Sequence, residues 1–260
     1  MEKNYIVIFD LTPQRKILYV SDSVFDILGY TPEELVGKSG FCIIPEEEHS
    51  GTNTYIMYQE LTDSQMTIMY CHARRKDKEL ILVECLVSCC YNMITSIIKQ
   101  VEPDNKNSQD KISAVDGVVY VDEQPNCLYK VEGTNTIKLH ESQLPSTTVQ
   151  FEPRVCMVLN RFTRKLTILY CSAPASFILG LNANKCTGTS FSTYIHPQDS
   201  ANVIEEFDLV KSTSCIGRAK FRFLSPVFGS IDISIVISGS CDGLIVILRR
   251  SESRSVFNSS

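Results

Sequence analysis

The spacing of apolar residues in the first hundred positions predicts a domain that mixes strands with short helices. Two apolar runs, Tyr5–Leu11 and Ile17–Val20, flank a turn that contains Pro13, and together they predict a β-hairpin. A polar stretch able to cap a helix follows, and then the apolar run Val24–Leu28, which Gly29 ends. The domain therefore opens with two strands and a short helix.

The residues after Gly29 predict a second short helix and then a longer one. Thr31 suits the N-cap, Pro32 suits the first helical position, and Glu34 lies three residues after the cap, as in a capping box. Pro45 and the acidic residues after it predict the start of a longer helix that ends near Leu61.

Three β-forming runs and a polar connector complete this half of the chain. The runs are Met66–His72, Leu80–Cys90 and Ile94–Val101. Beyond them, Val115–Val121 and Cys127–Val131 predict short strands in a segment that is otherwise rich in polar residues. We interpret this segment as a partly structured connector, because it is too long to be a simple loop.

The second half of the chain repeats the first. The tripeptide Ile168–Tyr170 matches Ile17–Tyr19 at an offset of 151 residues, and nine positions are identical across the ungapped window 17–39. The helix stop at Gly29 recurs at Gly180. A repeat of this length indicates a duplicated domain rather than a solenoid array. The expected segments are a first domain at 1–102, a connector at 103–147, a second domain at 148–250 and a disordered tail at 251–260.

Composition is typical of a globular protein and argues against a nucleic-acid binder. Hydrophobic residues make up 43% of the chain, charged residues 21%, and the net charge is −5. An acidic chain lacks the basic face that phosphate neutralisation requires, so no direct nucleic-acid binding is expected. No apolar run reaches the roughly 20 residues of a membrane span. The N-terminus lacks the features of a signal peptide, so no membrane association is expected.

The eleven cysteines indicate buried thiols in a reducing compartment rather than disulfides. Cys85, Cys89 and Cys90 cluster on one predicted strand, where Cys85 and Cys89 share a face and Cys90 points to the other. No second pair of cysteines lies at zinc-ligand spacing, so no metal site is predicted.

The order of the elements resembles that of a PAS domain. The resemblance rests on the hairpin, the short helices, the polar-acidic helix and the three closing strands, and in the second copy on the stretch Ile195–Asp199. More narrowly, Ile6–Pro13, Ile17–Asp22, Val158–Tyr170 and Cys241–Arg250 resemble the tandem PAS region of fungal white-collar-like regulators. Those regulators often carry a GATA zinc finger, which this chain does not.

The resemblance implies an α+β fold in two copies, each a five-stranded antiparallel sheet with short helices on one face. It also implies a cavity between sheet and helices in which such domains sense ligands or cofactors. Domains of this family associate with other PAS domains, and an antiparallel sheet covered on one side leaves its other face for a partner.

The light-sensing subset of PAS domains needs a cysteine beside a flavin, and neither copy has one there. Gly40 and Phe191 occupy the position of that cysteine. Cys42 lies two residues later, about 200° further around a helix, and is expected to be a small buried residue.

Haem held by histidine is the next alternative. His49 and His72 are the better candidates and His140 and His196 the weaker ones, although a lone histidine is more often structural. No fingerprint of a hydrolase, P-loop or dinucleotide site is present, so an enzyme is not expected and no cofactor is assigned.

These observations lead to the hypothesis of a non-catalytic tandem-PAS sensor or adaptor in signalling and transcription regulation, located in the nucleus or cytoplasm. It would act by association with other PAS-containing proteins or with itself. The alternative is a small-molecule receptor with a lipid, flavin or haem in one cavity. The residues expected to line the cavities, unless they are ordinary core, are Ile8, Ile17, Tyr19, Phe25, Leu28 and Ile56 in the first copy and Val158, Ile168, Tyr170, Phe177 and Phe207 in the second.

Overall fold

The chain divides into two compact units, one formed by residues 1–152 and 239–243 and the other by residues 153–238 and 244–260. We call residues 1–152 the first repeat and residues 153–260 the second repeat. The computed structural model describes residues 3–61, 65–90, 92–101, 115–121, 128–132, 135–139, 153–213 and 216–251.

The first repeat has the hairpin, the helices and the closing strands that the sequence pattern predicts. Its elements are β1 (Asn4–Asp10), β2 (Ile17–Val20), α1 (Val24–Leu28), α2 (Pro32–Leu35), two 3-10 turns (Gly40–Ile43 and Glu46–Glu48), α3 (His49–Leu61), β3 (Thr67–Arg74), β4 (Leu80–Cys90) and β5 (Met93–Gln100). The predicted start of α2 is confirmed, since the Glu34 carboxylate accepts the Thr31 N–H at 2.9 Å and Pro32 is the first helical residue.

Three further strands continue the sheet of the first repeat. They are β6 (Val118–Val121), β7 (Leu128–Glu132) and β8 (Asn135–Leu139), and the strand order is β2-β1-β5-β4-β3-β6-β7-β8. β6 runs parallel to β3, with Ile68 opposite Val118. These strands come from the segment expected to be a connector. The bounds of the four expected segments stay predictions, and the tail lies outside the described residues except for Ser251.

The second repeat has a five-stranded antiparallel sheet in the order β10-β9-β13-β12-β11. Its elements are β9 (Val155–Leu159), β10 (Ile168–Cys171), α4 (Ala175–Ile178), α5 (Ala183–Cys186), a 3-10 turn (Phe191–Tyr194), α6 (Ser200–Thr213), β11 (Ile216–Ser225), β12 (Gly229–Gly239) and β13 (Leu244–Arg250). The predicted α+β fold in two copies is confirmed.

Equivalent serines anchor the first strand in both repeats. The Ile6 N–H donates to Ser21 Oγ at 2.8 Å, and the Cys156 N–H donates to Ser172 Oγ at 2.9 Å. Both bonds are buried, so each serine satisfies a strand N–H that water cannot reach. The identity of Ser21 and Ser172 in the repeat therefore has a structural cause.

Equivalent glycines make the same turn after α2 and α5. Gly37 and Gly188 have φ values of 85° and 83°, in the left-handed region that side chains with a Cβ avoid. Their N–H groups donate to the carbonyls of Ile17 and Ile168, both at 2.8 Å. A Cβ at either glycine would meet no atom within 4 Å, so the backbone conformation alone requires glycine here.

Each repeat has its own hydrophobic core between its sheet and its helices. Nine cysteines lie in the described part of the chain, all as free thiols, and seven of them are buried. Cys42 is exposed, which corrects the expectation that it is buried, because the 3-10 turn Gly40–Ile43 directs Gly40 and Ile43 inward and Cys42 outward. Among the described helices, none is long and apolar enough to cross a bilayer.

Candidate functional site: the cavity of the first repeat

The core of the first repeat contains a cavity between the inner face of the sheet and α3. Its volume is about 50 Å³, counted as space for the centres of water-sized molecules. The 3-10 turn Gly40–Ile43 closes one side, and the partly exposed residues Phe9, Phe41, Ile44 and His72 lie at its edge. The apolar part of its deeper lining includes Ile43, Ile56, Met69, Val83, Val87, Ile94 and Ile98.

The two repeats can be aligned through a shared contact of the long helix. Glu48 receives hydrogen bonds from His72 in the first repeat, and Asp199 receives them from Arg222 in the second. Residues from Ile17 on β2 to the end of the long helix therefore correspond at an offset of 151. The first strand and the strands after the long helix correspond at an offset of 150, as the contacts of Ile6 and Cys156 with the serines and of His72 and Arg222 with the acidic residues show.

Four positions that carry phenylalanine in the second repeat carry smaller residues in the first, and all four smaller residues line the cavity. The pairs are Gly40 and Phe191, Ile56 and Phe207, Cys71 and Phe221, and Ala73 and Phe223. The rings of the second repeat are buried, and the Phe191 centroid lies 5.6 Å from that of Phe207 and 6.3 Å from that of Phe221. The phenylalanines fill the space that stays open in the first repeat.

Three hydroxyl groups in the cavity lining have no hydrogen-bond partner among the described residues. They belong to Tyr5 on β1, Thr52 on α3 and Ser96 on β5, and each of these residues is at most 2% exposed. Buried polar groups are nearly always paired, and leaving one unpaired costs about 1–3 kcal/mol. The second repeat has valine at all three positions, namely Val155, Val203 and Val246.

The Tyr5 phenol and the Cys85 thiol of the cavity are uncharged at neutral pH. Burial raises the pKa of the Tyr5 phenol well above its usual value, and the nearby Cys85 and Cys71 add to this shift. Cys71 Sγ and Cys85 Sγ lie 3.9 Å apart, and this contact together with burial raises the pKa of the Cys85 thiol. These groups therefore keep their protons and can donate hydrogen bonds to a ligand.

The two histidines near the cavity are held by protein groups. His49 Nε2 lies 3.1 Å from the carbonyl of Phe41 and 3.0 Å from that of Ile44. His72 Nδ1 bonds the Glu48 carboxylate. The Nε2 of His49 is thus occupied by backbone carbonyls, and haem ligation by either histidine stays a prediction. His196 lies outside this repeat and His140 outside the described residues. Within the described ranges, no group of three or more His, Cys, Asp or Glu side chains could hold a metal ion.

Of the six residues expected to line the first cavity, Ile56 does so. Ile17 and Leu28 are buried in the surrounding core. Tyr19 is 45% exposed and Phe25 is 59% exposed, and their assignment to the lining is corrected. Ile8 is also corrected, because it pairs with Thr95 on the opposite face of the sheet from Phe9.

In the second repeat, Ile168 and Phe207 are fully buried in the core. Tyr170 and Phe177 are exposed, at 36% and 53%, so they do not line its interior. Val158 alternates with the inward Met157 and Leu159 and therefore faces the other side of β9. Whether any of these residues contacts a ligand stays a prediction.

Comparison with known proteins shows which family model and which relatives this chain matches. Residues 6–98 match the family model for the PAS fold. The chain is 25% identical over 234 residues to the human "Circadian locomoter output cycles protein kaput", which covers 80% of this chain and 25% of the relative. The chicken protein of the same name is 24% identical over the same length, covering 80% of this chain and 24% of the relative. The chain thus spans about a quarter of the length of these relatives.

Solved PAS structures also align with this chain, at low scores. The PAS-B domain of Drosophila melanogaster Cycle with bound ethylene glycol has 17% identity and a TM-score of 0.32, covering 37% of this chain and 97% of that one. The PAS domain of the Cronobacter turicensis RpfR quorum-sensing receptor in complex with BDSF has 12% identity and a TM-score of 0.34, covering 40% and 98%. Likeness at this level says nothing about the ligand or partner of this chain.

The named relatives are animal circadian proteins, so the narrower resemblance to fungal white-collar-like regulators stays a prediction. The family match covers residues 6–98 of the first repeat, and the five strands of the second repeat lie in the same order as β2-β1-β5-β4-β3. Residues 6–98 therefore have the PAS fold, and the second repeat has the same α+β architecture.

Proposed function

We propose that this chain is a non-catalytic regulatory protein whose first repeat senses a small molecule and whose output is association with another PAS protein or with a second copy. The observation that carries the proposal is the difference between the two cores. One repeat is filled by four phenylalanines, whereas the other keeps an open cavity with three unpaired hydroxyls.

The open core of the first repeat lowers the stability of the fold, and this cost indicates that the cavity has a function. Each unpaired buried hydroxyl destabilises a fold by about 1–3 kcal/mol, and missing packing around a cavity adds to that. The second repeat shows that valine and phenylalanine are compatible with the same fold at these positions. Features that lower stability without a structural benefit are typical of binding sites.

The size of the cavity favours a small ligand over a large cofactor. Sites for drug-sized molecules and cofactors usually span about 300–1,000 Å³. The space for water-sized centres here is about 50 Å³. Haem or a flavin would require the core to rearrange, and a lipid would need to extend past Phe9 and Phe41.

Exposed apolar residues at equivalent positions support association as the output. Leu18 and Tyr19 on β2, and Leu169 and Tyr170 on β10, are all exposed. Both strands lie at an edge of their sheets. Exposed apolar residues beside a free strand edge are typical of protein–protein contact sites.

The finer parts of the proposal rest on resemblance to the PAS family. They are a role in transcription regulation, a nuclear or cytoplasmic location, a relationship to white-collar-like regulators, and a partner that supplies DNA binding. A pull-down from the source cell tests these parts of the proposal. The recovered partner is then examined for a DNA-binding domain.

Binding of a small apolar probe to the full chain tests the sensing role. Toluene is expected to raise the melting temperature of the protein, since it binds the folded state alone. Ile56→Phe, which introduces the residue of the second repeat, should abolish this rise. Leu18→Phe adds a ring outside the cavity and should leave it intact. No toluene-dependent rise in the unmodified protein would contradict the proposal.

Sedimentation velocity tests the association role. The full chain, alone or with its recovered partner, is expected to form a complex at tens of micromolar. Leu169→Lys should weaken that complex, because it places a charge in the exposed apolar pair. A strict monomer that recovers no partner would contradict this part of the proposal.

A further inference from the structure

We infer that the cavity of the first repeat is built for an uncharged molecule, about the size of a six-membered ring, that carries a hydroxyl or carbonyl group. This inference rests on the proposed sensing function and adds the chemical class of the ligand. It follows from the volume of the cavity, from the kind of polar groups that line it, and from the residues at the same positions in the second repeat.

The size of the ligand follows from the cavity volume. The cavity volume of about 50 Å³ counts only where the centres of water-sized molecules can lie. A single water needs roughly 10–15 Å³ on this measure, so the cavity has room for about four waters or for one ring of comparable bulk. A ring with one small substituent is therefore the expected upper size without rearrangement.

The lining favours a ligand without charge. An ionised group buried here would need an opposite charge within reach, since burial of an unpaired charge is strongly unfavourable. Among the described residues that line the cavity there is no carboxylate, and the Glu48 carboxylate, which lies beside the lining residue His72, is bonded to it. Arg15 also lines the cavity, but it already has an interaction of its own.

The three unpaired hydroxyls require hydrogen-bond partners that an apolar ligand does not have. Tyr5 and Ser96 lie on neighbouring strands of the sheet, and Thr52 lies on α3. A hydroxyl or carbonyl group on the ligand can accept from one of these groups, and a hydroxyl can also donate. A purely apolar ligand would leave all three unpaired.

The second repeat serves as an internal comparison. In its core, phenylalanines take the place of the small residues that line the cavity, and valines take the place of Tyr5, Thr52 and Ser96. Both kinds of change belong to one function, because hydroxyls without a cavity would bind nothing. The coincidence of the two differences points to a ligand that uses both.

Probe pairs of matched shape test the inference on the full 260-residue chain. The pairs are phenol with toluene, and cyclohexanol with methylcyclohexane. Dissociation constants are measured for the unmodified protein and for Tyr5→Phe/Thr52→Val/Ser96→Val, with Ser96→Val alone as a milder variant. The preference for the hydroxyl probe over its apolar partner should fall about tenfold in the triple variant, since one hydrogen bond is worth roughly two- to tenfold in affinity.

Each result decides a different question. A fall in preference while toluene binding persists supports the inference. An unchanged preference, with toluene bound equally in both proteins, overturns the inference and leaves the sensing function standing. Tighter binding of benzoate than of phenol at neutral pH overturns the requirement for an uncharged ligand. Absence of binding by every probe to the unmodified protein overturns the sensing function as well.

Discussion

The Glu48 carboxylate accepts hydrogen bonds from both the backbone N–H of His72, at 2.8 Å, and its ring Nδ1. Glu48 lies just before α3, and His72 lies on β3, so the pair ties the start of the long helix to the sheet. In the second repeat Asp199 accepts the Arg222 N–H at 2.9 Å and its guanidinium groups at 2.7 and 2.9 Å. The duplication has kept this connection while changing both residues.

Replacing Glu48 should destabilise the first repeat. Glu48→Ala leaves the N–H of His72 without its acceptor, and we expect the free energy of unfolding to fall by about 1–3 kcal/mol. Glu48→Gln should cost less, because the amide oxygen can still accept. Urea unfolding measures both. Glu47→Ala is the control, since Glu47 is exposed, and a change of similar size there would contradict this role for Glu48.

Asp199 should make the second repeat sensitive to acid. Its hydrogen bonds to Arg222 lower the pKa of the carboxyl from 3.8 to about 2. Because the pKa is lower in the folded state, the stabilisation is fully present above about pH 4 and is lost as the pH falls towards about 2. Asp199→Asn should therefore be less stable than the unmodified protein at pH 6, and the difference should vanish near pH 2. A difference in unfolding midpoint that is constant over this range would contradict the assignment.

Removing the unpaired hydroxyls should make the protein more stable. Thr52→Val and Ser96→Val each replace a buried group without a partner by an apolar one, and we expect a gain of about 1 kcal/mol for each. Chemical denaturation in the absence of ligand measures the gain. The reverse changes in the second repeat, Val203→Thr and Val246→Ser, should each cost about 1–3 kcal/mol. A loss of stability in Thr52→Val would show that its hydroxyl has a partner.

Replacement by alanine should destabilise the protein much more in the phenylalanine cluster than at the positions around the cavity. Phe207→Ala removes a fully buried ring, and we expect a cost of about 3–5 kcal/mol. Ile56→Ala, at the equivalent position, should cost about 2 kcal/mol, because Ile56 already borders open space. Comparing the two unfolding midpoints in urea checks this. Equal costs would contradict the difference in packing between the two cores.

Much of the fold could be predicted because local signals agree with it. Gly29 and Gly180 end the helices α1 and α4 with φ values of 76° and 69°, and Pro32 begins α2. Such signals act over a few residues and need no tertiary information. The duplication strengthened them, since each signal occurs twice.

The cavity lining could not be predicted from the pattern of apolar residues alone. Leu18 and Tyr19 are both exposed, because β2 is a short edge strand with an irregular register against β1. Ile8 lies on an apolar run in which Ile6, Val7 and Phe9 look alike, and a shift of one residue moves a side chain to the other face. Apolar patterns do not show which face the helices will cover.

A residue-by-residue comparison of the two repeats could have pointed to the hydroxyls and the small residues around the cavity. Thr52 and Val203 correspond at the same offset that identified the duplication. The sequence alone does not align the first strand and the closing strands of the two repeats, because the offset changes there to 150 residues. Ser96 can be matched to Val246 only through the pairing of β5 with β1 and of β13 with β9.

Methyl NMR of the full chain tests most directly the claim that the first repeat has an open, ligand-binding core and the second does not. The isoleucine δ1 methyl groups are labelled, and phenol is added at neutral pH. We expect chemical-shift changes at Ile56, Ile94 and Ile98, which line the cavity, and none at Ile233, Ile235 and Ile237, which lie in the packed core. Shift changes in the second repeat alone, or no saturable change in either repeat, would contradict the account.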